Sequence, residues 1–225
     1  MTYTAALTRI HLNLNHPVVR RDLADRVGLH KTLMRLAPDP HGPHPRQQAG
    51  LLFRLEHHHQ PSLLIQTTHP PHLDGLPTRY GTVQTRDLAP VLHHLRAGQT
   101  VLYRITAAPT RHKPAPVYGH RPDGTPLRPR GIRTPLRDPD DALAWWHRQA
   151  AVAGLTLTFA TLTPRPFPRR DRDSPYHVLV QFDGHATIAD PHALAAALCS
   201  GIGQGKPYGA GLLSLAPSAP HQETP

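Results

Sequence analysis

Apolar and polar residues alternate through residues 5–14, where Leu7, Ile10, Leu12 and Leu14 predict an early strand that His16-Pro17 ends. The period then changes. Val19, Leu23 and Val27, followed by Leu29, Leu33 and Leu36, recur at helical intervals over residues 18–36. Gly28 interrupts this segment and predicts two short helices with a break before His30. Residues 38–46 (PDPHGPHPR) read as a loop. Residues 51–56 and 62–68 are strands joined by HHHQP, which makes them a hairpin. A short helix or turn near residues 73–78 and a weaker strand over residues 82–87 complete the order β-α-β-β-(α)-β.

The second half repeats that order. Residues 100–106 (TVLYRIT) are a clear strand, and residues 107–137, rich in Pro, Gly and Arg, read as one long loop. Asp138 is suited to cap a helix with Pro139 at its first position, the helix runs on through residues 142–152, and Gly154 closes it. Residues 155–162 (LTLTFATL) alternate as a strand. A basic turn over residues 164–173 leads into a strand over residues 176–188. Asp190 and Pro191 again start a helix, through residues 193–198, and a glycine-rich loop precedes a last strand at residues 212–215. The expected fold class is therefore α+β, with two tandem ferredoxin-like domains. One covers residues 1–95 and the other residues 98–217, with residues 218–225 a disordered tail. The halves share an order of elements, not a residue-level repeat.

Composition narrows the partners. The hydrophobic share is 38% and the aromatic share 5%, so the core is expected to rest on Leu, Val, Ile and Ala. The net charge is +10, from 25 Lys+Arg against 15 Asp+Glu, a surplus that gathers anions and points to a polyanion. The single cysteine, Cys199, excludes an internal disulfide and a cysteine-based zinc site. The start, MTYTAALTRIHLNL, lacks the basic and apolar runs of a signal peptide, and no stretch is apolar for long enough to span a bilayer. These features predict a cytoplasmic protein with no membrane partner.

Three features carry candidate chemistry. GIGQGKPYGAG (residues 201–211) holds Gly201, Gly203, Gly205, Gly209 and Gly211 around Lys206. Dense glycine lets backbone N–H groups approach a phosphate chain, and five glycines exceed what a plain αβ connection needs. The pattern is neither a Walker motif nor a dinucleotide fingerprint. Basic residues then cluster in two places. Arg111, Lys113, Arg121, Arg128, Arg130, Arg133 and Arg137 populate the long loop, and Arg165, Arg169, Arg170 and Arg172 the basic turn. Arginine suits bidentate contacts to phosphates and guanine edges, and Tyr118 and Phe167 can stack on bases. The last feature is histidine. The run His57-His58-His59 is a poor chelate, because adjacent residues on a strand point to opposite faces. No metal site and no cofactor are expected. His30, beside Lys31 and Arg35, suits acid–base work on a phosphodiester.

Several segments together resemble a known family. RRDLADRVGLHKTL (residues 20–33), the pair LLFRLE…PSLLIQT, VLYRITAAPTR and the ending GIGQGKPYGAGLLSLAP are similar to the repeat-processing endoribonuclease of type I-E Cascade, the CasE family. The likeness runs from Thr4 to Pro217. It implies tandem ferredoxin-like domains and metal-independent cutting of CRISPR repeat precursor RNA on the 3′ side of its hairpin. It also implies that the product crRNA stays bound and that other Cascade subunits, the backbone subunit among them, are partners. The family's catalytic histidine falls on His30, and its following basic residue on Arg35, with Lys31 as a further cation. Arg20 and Arg21 join the expected RNA-binding set. Relatives carry a tyrosine three residues before the histidine, and this chain has Val27. RNA brings its own nucleophile, the 2′-hydroxyl, so one histidine and a few cations suffice. A subunit that only holds the hairpin without cutting it is the alternative, favoured by Val27.

Overall fold

The structure is a computed structural model, and it describes residues 4–37, 44–56, 60–113, 119–127, 131–165 and 178–218. The first strand, β1 (Ala6–Leu12), buries alternate residues. His16 does not merely follow it. Its Nδ1 accepts from the N–H of Val18 and caps α1 (Pro17–Ala24), with Pro17 in the first turn where its missing N–H costs nothing.

The break expected before His30 lies elsewhere. Asp25 is extended at φ −135° and its carboxylate accepts from the N–H of Val27 at 2.9 Å, starting α2 (Arg26–Met34). A cap that satisfies an orphan N–H outweighs the weak helix propensity of Gly28, which sits inside α2. After α3 (Pro45–Gln48), the hairpin of β2 (Leu52–Glu56) and β3 (Ser62–Thr67) forms as the alternation predicts, and β4 (Gly81–Asp87) follows a 3₁₀ turn at Leu73–Gly75. The strands lie in the order β2-β3-β1-β4, all antiparallel. That is the ferredoxin-like arrangement.

A short helix, α4 (Ala89–His93), was not legible in the sequence because it is only five residues long and its N-cap residue, Leu88, offers no capping side chain, the N–H of Ala89 being taken by Asp87 instead. β5 (Thr100–Ala107) opens the second half. Residues 107–137 are not one loop, as the sequence suggested, but partly paired. β6 (Thr110–Lys113), β7 (Gly119–His120), β8 (Pro126–Leu127) and β9 (Ile132–Pro135) pair as β6 with β9 and β7 with β8. The helix α5 (Pro139–Val152) begins at Asp138, whose carboxylate accepts from the N–H groups of Asp140 and Asp141. The strands β10 (Leu155–Arg165) and β11 (Leu179–Ile188), α6 (Pro191–Ser200) and β12 (Leu213–Pro217) complete the chain, in the sheet order β10-β11-β5-β12. Both sheets thus share one topology, and the fold is two tandem ferredoxin-like units. Among the described residues no helix is long and apolar enough to cross a membrane.

Each sheet has its own core. Ile10, Leu29, Leu33, Phe53 and Ile65 pack under the first, and Ile105, Trp146, Phe182 and Leu194 under the second. The second core is nevertheless centred on aromatic rings. Trp146 and Phe182 are fully buried and stack with centroids 5.6 Å apart. Between the halves, Leu52, Leu64 and Leu212 form a small apolar contact, and Gln66 Nε2 donates to the carbonyl of Leu198 at 2.7 Å. This contact fixes the glycine-rich segment before β12 against the first sheet.

Candidate active site

The cap at Asp25 sets the phase of α2. Arg26 and His30 are four residues apart, so they share one face, while Leu29 and Leu33 face the core. His30 is half-buried, and its Nδ1 is buried with no hydrogen-bond partner among the described residues. Burial first, and the positive charge of Arg46 second, hold the imidazole below its usual value of 6.5. It is therefore neutral at pH 7, with a ring nitrogen ready to take a proton.

Arg46 comes from α3, where its guanidinium donates to the carbonyl of Leu51 at 3.1 Å and is itself lowered by burial. Lys206 starts a 3₁₀ turn at Lys206–Tyr208 that packs on α2 and β2. Its ammonium donates to the carbonyl of Ser200 at 2.8 Å, and burial and Arg46 lower it. Two separate elements thus bring positive groups beside the neutral His30 of a third.

The glycine-rich loop covers this place. All five of its glycines have positive φ, from 73° to 90°. Two positions show why. A Cβ on Gly209 would stand 3.0 Å from Phe53 Cε2, and one on Gly201 2.7 Å from Leu52 Cδ2. The loop therefore lies flat on β2, which only glycine permits. Its ends are tied by the N–H of Ile202 to the carbonyl of Gly211 at 2.9 Å. Between loop and α3 opens a cavity of about 390 Å³ lined by Arg46, Gln47, Ser200, Gln204 and Lys206 among others, with no carboxylate. Such a lining favours a polyanion.

A larger cleft of about 810 Å³ lies between the two sheets, but there cations meet acids. Arg54 pairs with Glu56, and Arg104 with both Glu56 and Asp183. Of the cleft's three arginines only the exposed Arg9 has no acid partner among the described residues, so the cleft offers an anion less than the acid-free cavity does.

The other expected site residues are dispersed. Lys31 and Arg35 are exposed, Lys31 about 100° round the helix from His30 and Arg35 at the C-cap of α2. Arg20 donates to the carbonyls of Leu14 and Asn15. Arg21 pairs with the buried Asp22 at 2.7 Å and reaches Thr32. Arg111 pairs with Asp141 at 2.9 Å on the surface, and Lys113 is exposed beside it on β6. Arg165 closes β10 and donates from Nε to Gln181 at 2.9 Å. Arg128, Arg130, Arg169, Arg170 and Arg172 lie outside the described residues, as do Tyr118, Phe167 and the run His57-His58-His59. Sequence reasoning missed Arg26 and Arg46. The first could have been found from its i, i+4 spacing to His30, whereas the second sits beside a proline- and histidine-rich loop that carries no periodic signal.

Comparison with known proteins bears on the same segments. A family model described as CRISPR associated protein matches residues 7–217. The chain belongs to that family. This CRISPR-associated chain is 29% identical over 230 residues to the CRISPR-associated endoribonuclease Cse3 of Thermus thermophilus, with 94% of the chain and 99% of the relative aligned. It is similar to a structure of CRISPR endoribonuclease Cse3 bound to 19-nt RNA, with TM-score 0.77, 29% identity, and coverage of 96% of this chain and 100% of that one. It is also similar to a chain of a CRISPR RNA-guided surveillance complex, pre-nicking, with TM-score 0.63, 37% identity, and coverage of 95% and 100%.

Proposed function

We propose that this chain is a metal-independent endoribonuclease that cuts CRISPR repeat precursor RNA on the 3′ side of its hairpin. It then keeps the mature crRNA and acts as a Cascade subunit. The observation that carries this reading is the neutral, unpartnered His30 set among cations and glycine backbone, in a chain similar over its length to an RNA-bound endoribonuclease.

The chemistry follows from the groups present. The 2′-hydroxyl oxygen attacks the adjacent phosphorus, forming the 2′-O–P bond. The bond from phosphorus to the 5′-oxygen of the next nucleotide breaks. His30 accepts the 2′-hydroxyl proton, and water gives a proton to the departing 5′-oxygen, its own loss made good when the His30 imidazolium releases its proton to solvent. The products are a 2′,3′-cyclic phosphate and a 5′-hydroxyl. Negative charge grows on the phosphorane oxygens, where Arg46 and Lys206, with Lys31 and Arg35 at the rim, stabilise it. The N–H groups of Gly201, Gly209 and Gly211 are bonded within the chain, so those of Gly203 and Gly205 are the loop glycines that hold the flanking phosphates. In this reading residues 1–95 supply His30 and residues 98–217 supply most of the hairpin grip. The basic residues Arg165, Arg169, Arg170 and Arg172, with Arg111, Lys113, Arg128 and Arg130, and Arg20 and Arg21 on α1, meet phosphates along the stem. A-form RNA has a major groove too narrow for side chains to read, so phosphate contacts dominate.

The test is incubation with a repeat hairpin in excess EDTA. A single cut at the 3′ base of the stem, at the rate seen without chelator, is expected. Cleavage that stops in EDTA and returns with Mg²⁺ contradicts the mechanism. Tight binding with no cut in any condition supports the hairpin-holding reading that Val27 favours.

A further inference from the structure

Arg26 is a charged residue with no acid partner among the described residues. It is 5% exposed, and its Nε is buried without a hydrogen-bond partner among the described residues. The acids nearest in sequence are engaged elsewhere. Asp22 accepts from Arg21 and from the hydroxyl of Tyr80, and Asp25 accepts from the N–H of Val27. Burial lowers the guanidinium to about 10, so it still carries its proton at pH 7. Isolated buried charge is costly, and natural chains seldom keep it without a counter-charge. Lys31 and Arg35, exposed on the same helix, carry no such cost.

The surroundings show which way this charge faces. Arg26 lies one turn before His30 on the same side of α2. Across from it is Gly209, where a Cβ would stand 3.4 Å from Arg26 Nη1. Glycine there leaves no side chain between the guanidinium and the backbone of the glycine-rich loop. His30 Nδ1, one turn on, is likewise buried and unpartnered. Two orphaned nitrogen groups on one helix face, under a loop of bare backbone, describe a receptor for an anion that the free chain lacks.

We propose that Arg26 is a catalytic residue that binds the phosphate of the cleaved bond, holding its non-bridging oxygens beside His30. The proposal rests on the reading of the His30 pocket as the cleavage site. It assigns to the buried guanidinium the charge stabilisation that exposed cations supply only weakly, because a group in a dry site acts through a lower dielectric and needs no reorganisation. A residue kept for packing would behave differently. Its loss would unfold the chain, whereas loss of an unpaired buried charge leaves the free protein as stable as before or more so.

The experiment compares wild type, Arg26→Gln and Arg26→Lys, each as the full chain, in two assays. The first is thermal unfolding of the free protein with rising sodium sulfate, a phosphate mimic, against sodium chloride at equal ionic strength. The expected result is that Arg26→Gln melts no lower than wild type and loses most of its sulfate-specific rise in Tm. The second is single-turnover cleavage of a repeat hairpin. Arg26→Gln is expected to slow the cleavage step roughly 10²–10³-fold, the range for one lost transition-state donor, with hairpin affinity within about threefold. Arg26→Lys is expected to fall between. A Tm several degrees below wild type, an unchanged sulfate response, or cleavage within about threefold of wild type each overturns the proposal. The sulfate assay needs no RNA and leaves His30 intact. If His30→Ala is inactive while Arg26→Gln responds to sulfate and cuts as wild type does, Arg26 alone is wrongly assigned. If His30→Ala cuts normally, the pocket itself is.

Discussion

His30→Ala abolishes cleavage of the repeat hairpin and leaves its affinity within about threefold of wild type. Removing a general base costs about 10²–10⁴ in rate, and here burial and Arg46 keep the imidazole neutral and able to accept a proton. Affinity comes from many phosphate contacts spread along the stem, so one neutral ring contributes little of it. The pH profile carries the same signature. Burial and Arg46 lower the imidazole, so the charged form is disfavoured in the folded chain. The acid limb of kcat/KM, which reports the free enzyme, is therefore centred below 6.5, and activity persists down to pH values where an exposed histidine would already be protonated. The sign for folding follows. Stability is fully present above 6.5 and declines as pH falls through that value, because the unfolded chain then binds the proton more readily. Single-turnover rates and filter-binding affinities measured side by side check the first claim. A variant that cuts at the wild-type rate removes His30 from the mechanism.

Arg54→Ala has the largest expected effect on stability, about 3–5 kcal/mol, because it leaves a buried carboxylate without its main partner. Arg54 is 3% exposed. It donates to Glu56 at 2.7 Å, to the carbonyl of Leu212 at 2.9 Å, to that of Arg104 at 3.0 Å and to Ser214 Oγ at 2.9 Å. One side chain on β2 thus satisfies groups on β5 and around β12 and ties the two sheets together. Glu56, 6% exposed, would lose the partner that holds it at hydrogen-bond distance, while Arg104 stands at 3.4 Å. Replacing both charges at once, as Arg54→Met with Glu56→Leu, should recover most of the loss, since well-packed apolar pairs equal or exceed buried ion pairs. Urea unfolding of the three proteins tests this. A single variant within about 1 kcal/mol of wild type would show the pair to be incidental. The same network passes through Arg104 to Asp183 on β11, next to Gln181, which holds Arg165 at the end of β10. Loosening it is therefore expected to weaken the hairpin grip as well.

What the sequence made legible were the features whose causes are local. The aspartate caps at Asp138 and Asp190, each followed by proline, start helices where the pattern places them, because the cap and its N–H partners lie within three residues. The alternation of β2 and β3 fixes a hairpin for the same reason. The misplaced break in α2 shows the limit of residue rank. Gly28 is the poorer helix former, yet Asp25 decides, since an unsatisfied N–H is worth more than a propensity difference. Pairing of β6 with β9 joins residues about twenty apart with no apolar alternation, and nothing local announces it. At the site, His30 was visible from its motif, and the glycine loop from its density. That Gly201 and Gly209 are required by Leu52 and Phe53 was not visible, because β2 lies some 150 residues earlier. Arg46 was hidden in the same way, because only the fold brings α3 beside α2.

In the proposed mechanism the RNA supplies its own nucleophile, and the protein only aligns it and moves protons. The most direct test uses two repeat hairpins that differ in one atom. One is all ribose. The other lacks the 2′-oxygen on the nucleotide just 5′ of the cut. Both should bind the wild-type chain equally in EDTA. The all-ribose hairpin should be cut once, leaving a 2′,3′-cyclic phosphate visible by mass, and the deoxy hairpin should stay whole. Cutting of the deoxy hairpin at a comparable rate would mean that water or another group attacks the phosphate, which contradicts attack by the 2′-hydroxyl.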